Sequence, residues 1–352
     1  MFRSLPALAL MLALSGCNGS GCRGSSSGEK VHAAAKGKGA TRKGPRDDRL
    51  GAVRRWACQL AGLTMEGAAE ALVASPYDLL VLDPTRSRKE HPDFDGKGLV
   101  GRLHATRGGA GRGRLVLARV SAGQAESSRD YWLEDWVAPS ENGPGSPDFL
   151  VCKDPDGRPD SYPVAYWDPG WKKILLGVLD SVIADGYDGV YLDRVEVFLN
   201  TDVKQRAVSD GVDPVVEMIK LVGEIRRHAR ARVPRFLVVA QNGAGLVRGH
   251  PEYLGAIDAI AQEQIFFDGK TDADWDDPDA CDVGVPGSGP YSRRFYIQRL
   301  EPYRAAGLPV LNVEYACDPA NVREAYELSA KQGYLTYVSR RPLDRLAPPP
   351  GR

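Results

Sequence analysis

The sequence predicts an α/β protein built as a single (β/α)8 barrel, and three observations lead to this fold class. Eight runs rich in β-branched and apolar residues recur along the 352-residue chain, with helix-forming segments between them. The runs are continuously apolar rather than alternating, which is typical of parallel strands covered on both faces. Most of the runs end in a polar residue, as barrel strands do where they meet the functional face.

Each predicted strand is bounded by Gly, Pro or Asp, which commonly end strands. The eight runs cover residues 55–61, 77–83, 115–121, 187–193, 235–241, 257–263, 308–314 and 333–339. A doubly wound open sheet is the alternative arrangement. Its nucleotide-binding versions lose support because the sequence has no GxGxxG after the first strand and no Walker loop.

Helices are predicted between the strands from their caps and their hydrophobic periodicity. Three of them begin with a capping aspartate followed by a proline suited to the first helical position, at Asp168-Pro169, Asp213-Pro214 and Asp318-Pro319. In the first of these helices, apolar residues from Trp171 to Ile183 recur with helical spacing. Gly186, Gly307 and Gly333 then lead the chain into the next strand.

The N-terminus has the features of an export signal. Arg3 precedes an apolar run from Leu5 to Leu14, which is too short to span a membrane, and small residues precede Cys17. This pattern resembles a bacterial lipobox, so we expect residues 1–16 to be a signal peptide and Cys17 to be lipidated. The protein would then be exported and anchored by lipid to the outer membrane or cell surface. Ordinary secretory cleavage that leaves a soluble protein is the alternative.

Composition predicts the remaining domain boundaries. Residues 17–50 are rich in Gly, Ser and Lys, as in a flexible linker, residues 51–345 form the predicted barrel, and residues 346–352 form a Pro-rich tail. Residues 18–55 carry ten Lys or Arg against three acids, so the barrel is net acidic although the whole chain has a formal charge of zero. An acidic body argues against a nucleic-acid groove and suits neutral or cationic ligands.

Export permits disulfide bonds among the cysteines that follow the predicted lipid anchor. Cys281 and Cys317 fall after predicted strands, on the same face of the barrel, and we favour them as a pair. The other cysteines are Cys22, Cys58 and Cys152. No spacing of Cys and His resembles a zinc site, so no metal is expected.

The C-terminal ends of the strands collect carboxylates, amides and aromatic residues. The residues expected in this cleft are Asp83, Glu126, Asp193, Glu196, Gln241, Asn242, Glu263, Glu314 and Tyr315, with Tyr166, Trp167, Tyr191 and Trp275 as nearby aromatics. Flat apolar side chains cover sugar faces, while acids and amides bind hydroxyl groups. Two carboxyl groups on either side of a glycosidic bond can cleave it without a metal or an organic cofactor. The combination therefore indicates carbohydrate chemistry.

Longer motifs make this interpretation specific. In chain order they read YDLLVLDP, LVLARVSAGQAESSRDYW, YWDPGW, GYDGVYLD, AQNG and the QE that ends the sixth run. Across residues 55–340 the sequence resembles glycoside hydrolase family 114, the barrels related to endo-α-1,4-polygalactosaminidase. The resemblance implies hydrolysis of an amino-sugar polysaccharide, with Asp193 and Glu263 as the catalytic pair. Cys58 departs from the family, in which we expect an aromatic residue at that position.

The resemblance and the chemistry together predict roles for the two acids. We expect Asp193 to act as nucleophile or stabilising carboxylate and Glu263 as acid/base. Glu314, which closes the seventh strand, is the alternative partner of Asp193. Structural interpretations stay open, since Asp193 could pair with a neighbouring arginine, and Gln262 and Gln264 could act instead of Glu263. A catalytically inactive, carbohydrate-binding barrel lipoprotein on the cell surface is the second functional hypothesis.

The segment 268–282 is rich in aspartate. Its alternate spacing matches the first ligands of a calcium loop, but Asp277 and Val283 occupy the positions where such a loop has Gly and Glu. We therefore predict no calcium site. A solvated acidic loop is favoured, and attraction of a cationic polysaccharide, such as a partly deacetylated galactosamine polymer, is the alternative.

Overall fold

The computed structural model describes residues 48–270 and 273–349, and an eight-stranded parallel sheet forms its centre. The strands are β1 (Trp56–Gln59), β2 (Leu79–Leu82), β3 (Leu115–Ser121), β4 (Gly189–Asp193), β5 (Leu237–Gln241), β6 (Ala259–Glu263), β7 (Val310–Tyr315) and β8 (Leu335–Ser339). They pair in chain order from β1 to β8. The predicted (β/α)8 barrel is confirmed, and each predicted run holds one strand, with β7 extending one residue further.

Aromatic side chains bring β1 and β8 together, so that the sheet forms a nearly closed barrel. The indole Nε1 of Trp56 in β1 donates a hydrogen bond to the carbonyl oxygen of Leu335 in β8, at 2.7 Å. The ring centroid of Trp56 lies 6.0 Å from that of Tyr337 and 6.3 Å from that of Tyr191, and all three side chains are buried. The barrel interior is thus a packed core.

Eight helices in the described part of the chain surround or flank the sheet. They are α1 (Asp48–Gly51), α2 (Ala68–Ala74), α3 (Gly96–His104), α4 (Pro169–Ala184), α5 (Thr201–Ser209), α6 (Pro214–Arg232), α7 (Arg293–Ala305) and α8 (Pro319–Gln332). The three predicted caps are confirmed, because Asp168, Asp213 and Asp318 accept hydrogen bonds from backbone N–H groups in the first turns of α4, α6 and α8. None of the helices described is long and apolar enough to cross a bilayer.

The folded body begins before the predicted end of the linker. Residues 48–50 belong to α1, Leu50 is buried, and the Arg49 guanidinium lies 3.1 Å from a carboxylate oxygen of Asp188. This segment stays with the barrel because it buries apolar surface. Residues 1–47, which include the predicted signal peptide and Cys17, lie outside the described residues.

The predicted Pro-rich tail also begins within the folded body. Ala347 is buried, its N–H donates to the Tyr337 hydroxyl at 2.9 Å, and its carbonyl accepts from the Tyr77 hydroxyl at 2.8 Å. These bonds satisfy backbone groups that burial would otherwise leave without partners. Leu346 and Ala347, the first residues of the predicted Pro-rich tail, therefore pack against the core of the barrel.

Two short two-stranded antiparallel sheets and a disulfide shape the loops that follow the barrel strands. The sheets pair Gln124–Glu126 with Ser161–Pro163 and Phe267–Asp268 with Val283–Gly284. The predicted disulfide between Cys281 and Cys317 is confirmed, with the two Cα atoms 5.9 Å apart. It links the chain that follows β6 to the chain that follows β7. Cys58 and Cys152 are free thiols.

Trp56→Phe tests the contact between the first and last strands. We expect it to lower the free energy of unfolding by about 2–4 kcal/mol, because it removes buried volume and leaves the Leu335 carbonyl without its donor. Urea denaturation measures the change. Trp132→Phe is the matched control, since Trp132 packs on Trp136 and Tyr162 and should cost less. Equal losses in the two variants would contradict a special role for the bond across the barrel seam.

Candidate active site

Three neighbouring strands end in the same unusual way at the C-terminal face of the barrel. Arg194 after β4, Asn242 after β5 and Gln264 after β6 have φ values of 59°, 58° and 49°. This left-handed region favours glycine, and other residues persist there only where their surroundings hold them, most often at functional sites. The chain therefore turns sharply, directly after the last residue of each strand.

A cavity of about 720 Å³ opens at this face. It brings together eight of the residues predicted for the cleft, namely Glu126, Tyr191, Asp193, Glu196, Gln241, Asn242, Glu263 and Tyr315. Further charged residues in its lining are Arg88, Arg119, Asp156, Arg158, Arg194, Asp268, Arg299 and Arg341. The cavity is therefore polar, with charges of both signs on its walls.

Asp193 lines this cavity from the end of β4 and is held in place by an arginine. Its Oδ2 accepts hydrogen bonds from Nε and Nη2 of Arg119, at 2.9 and 2.6 Å, and its Oδ1 accepts from the Arg194 N–H at 2.8 Å. Burial raises the pKa of the Asp193 carboxyl, but the charges of Arg119 and Arg194 and the hydrogen bonds from Arg119 lower it by more. The net pKa is below its ordinary value, so Asp193 is a carboxylate at neutral pH.

Arg119 lines the cavity and belongs to a row of alternating charges that continues through buried residues behind the cavity wall. Its guanidinium also bonds to Glu126, and Arg129 joins Glu126 to Asp83. Burial raises the pKa of Glu126, yet the two arginines lower it much further. Asp83 completes the row by accepting a bond from Arg88 Nε at 2.9 Å. Glu126 and Asp83 are thus each held between two guanidinium groups.

Glu263 ends β6, and β5 lies between β6 and β4, the strand that ends in Asp193. Glu263 has its own set of hydrogen-bond donors. Its Oε2 accepts from the Tyr315 hydroxyl at 2.6 Å and lies 3.3 Å from Nη1 of Arg341. Its Oε1 accepts from Nδ2 of Asn242 at 3.1 Å, while Oδ1 of Asn242 accepts from Gln262. Tyr315 and Asn242, predicted to contact substrate, therefore orient Glu263.

The two acids predicted to be catalytic both raise the pKa of the same two buried groups, the Cys58 thiol and the Tyr191 hydroxyl. Burial raises the pKa of the Cys58 thiol most strongly, and the negative charges of Glu263 and Asp193 raise it further. The pKa of the Tyr191 hydroxyl is raised by burial and by the same two acids, among other groups. Cys58 and Tyr191 also line the cavity. Asp193 and Glu263 therefore converge on one space from separate strands.

Four of the residues predicted to contact substrate lie outside the cavity lining. Asp83 is only 1% exposed and is taken up by Arg88 and Arg129. The Tyr166 hydroxyl donates to the Pro214 carbonyl, and the Trp167 indole donates to Asp210 at 2.8 Å, so both aromatics connect the segment before α4 to the ends of α5 and α6. Glu314 is the fourth residue.

Glu314 is fully buried and organises the loop that follows β6. Its carboxylate accepts from the backbone N–H groups of Ile265, Phe266 and Phe267, at 2.7–3.0 Å, and from Nδ2 of Asn312 at 2.8 Å. Burial raises the pKa of Glu314 to about 7 against these hydrogen bonds. It is a structural anchor beneath the loop of Glu263, and the alternative Asp193–Glu314 pair has no support in the geometry.

Sequence reasoning missed two arginines and the aromatic residues at the cavity mouth. Arg119 lies inside the buried strand β3. An arginine at such a position predicts acidic partners nearby, because a buried charge is costly without them. Arg341, just after β8, stacks over the Tyr315 ring at 4.6 Å from its centroid. The aromatics at the mouth come from the start of α7, as Tyr291, Phe295 and Tyr296. Trp275, which was predicted to lie near the cleft, is not in the cavity lining, and its ring packs against the guanidinium groups of Arg340 and Arg345.

A pair of carboxyl groups in one cavity, backed by fixed donors, has the components needed to cleave a glycosidic bond. The family model of glycoside-hydrolase family GH114 matches residues 33–350 of the chain. The protein is a member of family GH114. The resemblance seen in its motifs is confirmed, and this barrel belongs to a family of glycoside hydrolases.

Relatives of this GH114 protein occur in bacteria and archaea. An uncharacterised protein of Deinococcus radiodurans is 34% identical over 300 residues, which are 84% of this chain and 83% of the relative. An uncharacterised protein of Methanocaldococcus jannaschii is 28% identical over 311 residues, which are 83% of this chain and 77% of the relative.

Two solved structures show the same fold at low sequence identity. The glycoside hydrolase domain of PelA from Pseudomonas aeruginosa superposes with a TM-score of 0.55 at 18% identity, covering 84% of this chain and 97% of that one. Ega3 of Aspergillus fumigatus, in complex with galactosamine, superposes with a TM-score of 0.55 at 16% identity, covering 83% and 93%. The GH114 chain thus shares its barrel with both proteins.

Arg119→Met tests the electrostatic role of the buried arginine. We expect the free energy of unfolding at pH 8 to fall by about 3–5 kcal/mol, because Glu126 and Asp193 lose their shared partner. Arg129 still holds Glu126, but burial then raises the pKa of Asp193, so Asp193 takes up a proton and the loss shrinks toward pH 5. Urea denaturation at the two pH values measures this trend.

Arg206→Met is the matched control for that measurement, since Arg206 forms its ion pairs with Asp148 and Asp210 at the surface. We expect it to cost under about 1 kcal/mol at both pH values. A loss in Arg119→Met that is equally small, or that does not change with pH, would contradict the role assigned to Arg119.

Proposed function

We propose that this GH114 protein hydrolyses an α-1,4-linked galactosamine polymer, as an endo-α-1,4-polygalactosaminidase does, with Asp193 and Glu263 as its catalytic residues. One observation carries the proposal, namely that both carboxyl groups line a single cavity at the C-terminal face of the barrel. Family membership supports the reaction class. The galactosamine bound to Ega3, which shares the fold, supports the substrate class.

Asp193 suits the role of nucleophile or stabilising carboxylate. Its lowered pKa keeps it ionised, and its position is fixed by Arg119 and by the Arg194 N–H. A fixed negative charge stabilises the positive charge that develops on the sugar in the transition state. In the nucleophile role, a carboxylate oxygen forms a bond to the anomeric carbon as the bond to the leaving oxygen breaks.

Glu263 takes the role of acid/base in this proposal. As acid it gives its proton to the glycosidic oxygen of the leaving sugar, and as base it then removes a proton from the attacking water. The Tyr315 hydroxyl and the Asn242 amide fix the orientation of its two oxygens. Such positioning supplies part of the rate acceleration, because proton transfer requires hydrogen-bond distance.

The walls of the cavity suit a sugar chain. Tyr291 is 64% exposed and its ring offers an apolar surface beside Phe295, whose ring centroid lies 5.3 Å away and carries the Arg299 guanidinium at 4.0 Å. Aromatic faces of this kind cover the apolar faces of sugars. Amides of Gln241, Gln262 and Gln264 line the same cavity and can bind hydroxyl groups.

We further propose that the enzyme acts outside the cytoplasm. The apolar run that precedes Cys17 and the small residues next to it support a lipoprotein signal. A lipid on Cys17 would anchor the enzyme to the outer membrane or cell surface, where polysaccharides accumulate. Lipid would then be its only contact with the membrane.

Release of reducing ends from α-1,4-galactosamine polymer tests the proposed reaction. We expect Asp193→Asn and Glu263→Gln each to lower kcat by about 10²-fold or more, because each removes one half of the two-carboxylate mechanism. Asp148→Asn, at an exposed aspartate outside the cavity, is the matched control and should stay within about twofold of wild type.

Glu314→Gln separates a structural acid from a catalytic one in the same assay. We expect it to lower the free energy of unfolding by about 1–3 kcal/mol, because an amide NH₂ opposes the backbone donors. Glu263→Gln should also lose stability, because its carboxylate accepts from Asn242, Tyr315 and Arg341, so turnover is what separates the two acids: Glu314→Gln should keep it and Glu263→Gln should lose it. Full turnover in Glu263→Gln would refute the assigned pair. Binding of the polymer without cleavage by the wild type, unchanged in Asp193→Asn, would instead support a carbohydrate-binding barrel without activity.

Cys17→Ser tests the proposed anchor. In a bacterial host that processes lipoproteins, radiolabelled palmitate should enter the wild-type protein and not the variant, because only the Cys17 thiol can accept the lipid. The variant should also leave the membrane fraction. Equal labelling of the two proteins, or wild-type protein in the soluble fraction only, would contradict the anchor.

A further inference from the structure

One further carboxyl group of the cavity wall, that of Glu196, differs from the other acids of the cavity. Glu196 belongs to the short 3-10 helix Val195–Leu199 that follows β4, and it lines the same cavity as Asp193 and Glu263. Its Oε2 is shielded from solvent and has no hydrogen-bond partner in the described part of the chain. A buried polar atom without a partner is uncommon and needs an explanation.

The other acids of the cavity already have cationic partners. The ion pairs are Asp193 and Glu126 with Arg119, Asp156 with Arg194, and Glu263 and Asp268 with Arg341. Within residues 48–270 and 273–349, Glu196 forms no ion pair. It is therefore the cavity acid whose positive partner is missing.

The surroundings of Glu196 disfavour the ionised form of its carboxyl group. Burial and then the charge of Asp193 raise the pKa of Glu196 to about 7, Arg194 opposes them, and Glu263 adds a smaller increase. Tyr296 of α7 also lies close enough to be affected by Glu196. A positive group brought into the cavity would favour the ionised form and would supply the missing partner.

We infer that Glu196 binds the ammonium group of an amino-sugar unit and thereby selects free amino sugars over N-acetylated ones. The inference rests on the proposed function and deepens it. An ammonium group has three N–H donors and a positive charge, and its hydrogen bonds to a carboxylate are among the strong ones in proteins. An acetamido group is neutral and offers Glu196 one donor.

The role differs from those of Asp193 and Glu263. Arg119 and Arg341 already neutralise those two acids, so an ammonium group gains less by approaching them. Glu196 can bind a substituent of the sugar ring while the other two acids act at the glycosidic bond. It is thus a residue that determines specificity rather than a third catalytic acid.

Glu196→Gln tests this role because it keeps the shape of the side chain and removes the charge. The probes are galactosamine, N-acetylgalactosamine and their α-1,4-linked oligomers, with binding measured by calorimetry and cleavage by reducing-end release. We expect the variant to lose about tenfold or more in affinity and in kcat/KM for the deacetylated compounds. For the acetylated compounds the change should stay within about threefold.

The pH dependence gives a second readout. The affinity of the wild type for galactosamine should rise from about pH 5 to about pH 7, because Glu196 is protonated at the lower pH and binds the ammonium less well there. In Glu196→Gln the affinity should not change over this range. Glu301→Gln, at an exposed acid of α7 paired with Arg304, is the matched control and should behave as the wild type.

Folding of the variant is checked by thermal unfolding. Because the raised pKa means that the ionised group destabilises the fold above about pH 7, Glu196→Gln should be at least as stable as the wild type at pH 8. If it is less stable, Glu196→Asp serves as the second variant and should keep the preference for deacetylated compounds.

The outcomes separate this inference from the proposed reaction. Cleavage by the wild type with an unchanged preference in Glu196→Gln, or with equal losses for both kinds of sugar, would overturn the inference alone. Binding of galactosamine that depends on Glu196, without any cleavage, would support the inference and refute the reaction. A wild type that neither binds nor cleaves the deacetylated compounds would overturn both.

Discussion

The buried guanidinium of Arg119 is the interaction on which the candidate site depends. It joins Asp193 at the end of β4 to Glu126 in the short strand that follows β3, and Arg129 continues the row to Asp83 after β2. Without it, two carboxylates would lie in a poorly solvated wall at high cost. With it, Asp193 stays ionised and in a fixed position, which the proposed chemistry needs.

The barrel could be predicted from local features of the sequence. Continuous apolar runs and Asp-Pro caps act over a few residues each, so they identified the eight strands and the starts of α4, α6 and α8. The ends of the domain were less predictable, because they are held by residues far along the chain, Asp188 for Arg49 and the hydroxyls of Tyr77 and Tyr337 for Ala347.

The site was predictable where a residue ends a strand and less so where a role depends on contacts across strands. Asp193 and Glu263 follow from their positions, and both line the cavity. Glu314 has an equivalent position at the end of β7, yet the loop after β6 folds over it and its oxygens take up three backbone donors. Spacing along the chain contains no information on that packing.

The distribution of charge in the cavity bears on substrate specificity. Arginines neutralise most acids of the cavity and leave Glu196 without a cationic partner among the described residues, where an amino sugar can supply one. The most direct test is a crystal structure of the Glu263→Gln protein with an α-1,4-galactosamine oligomer. The account predicts the scissile bond between Asp193 and the substituted side chain, with an amino group at Glu196. An oligomer bound elsewhere, with no sugar at Asp193, would contradict it.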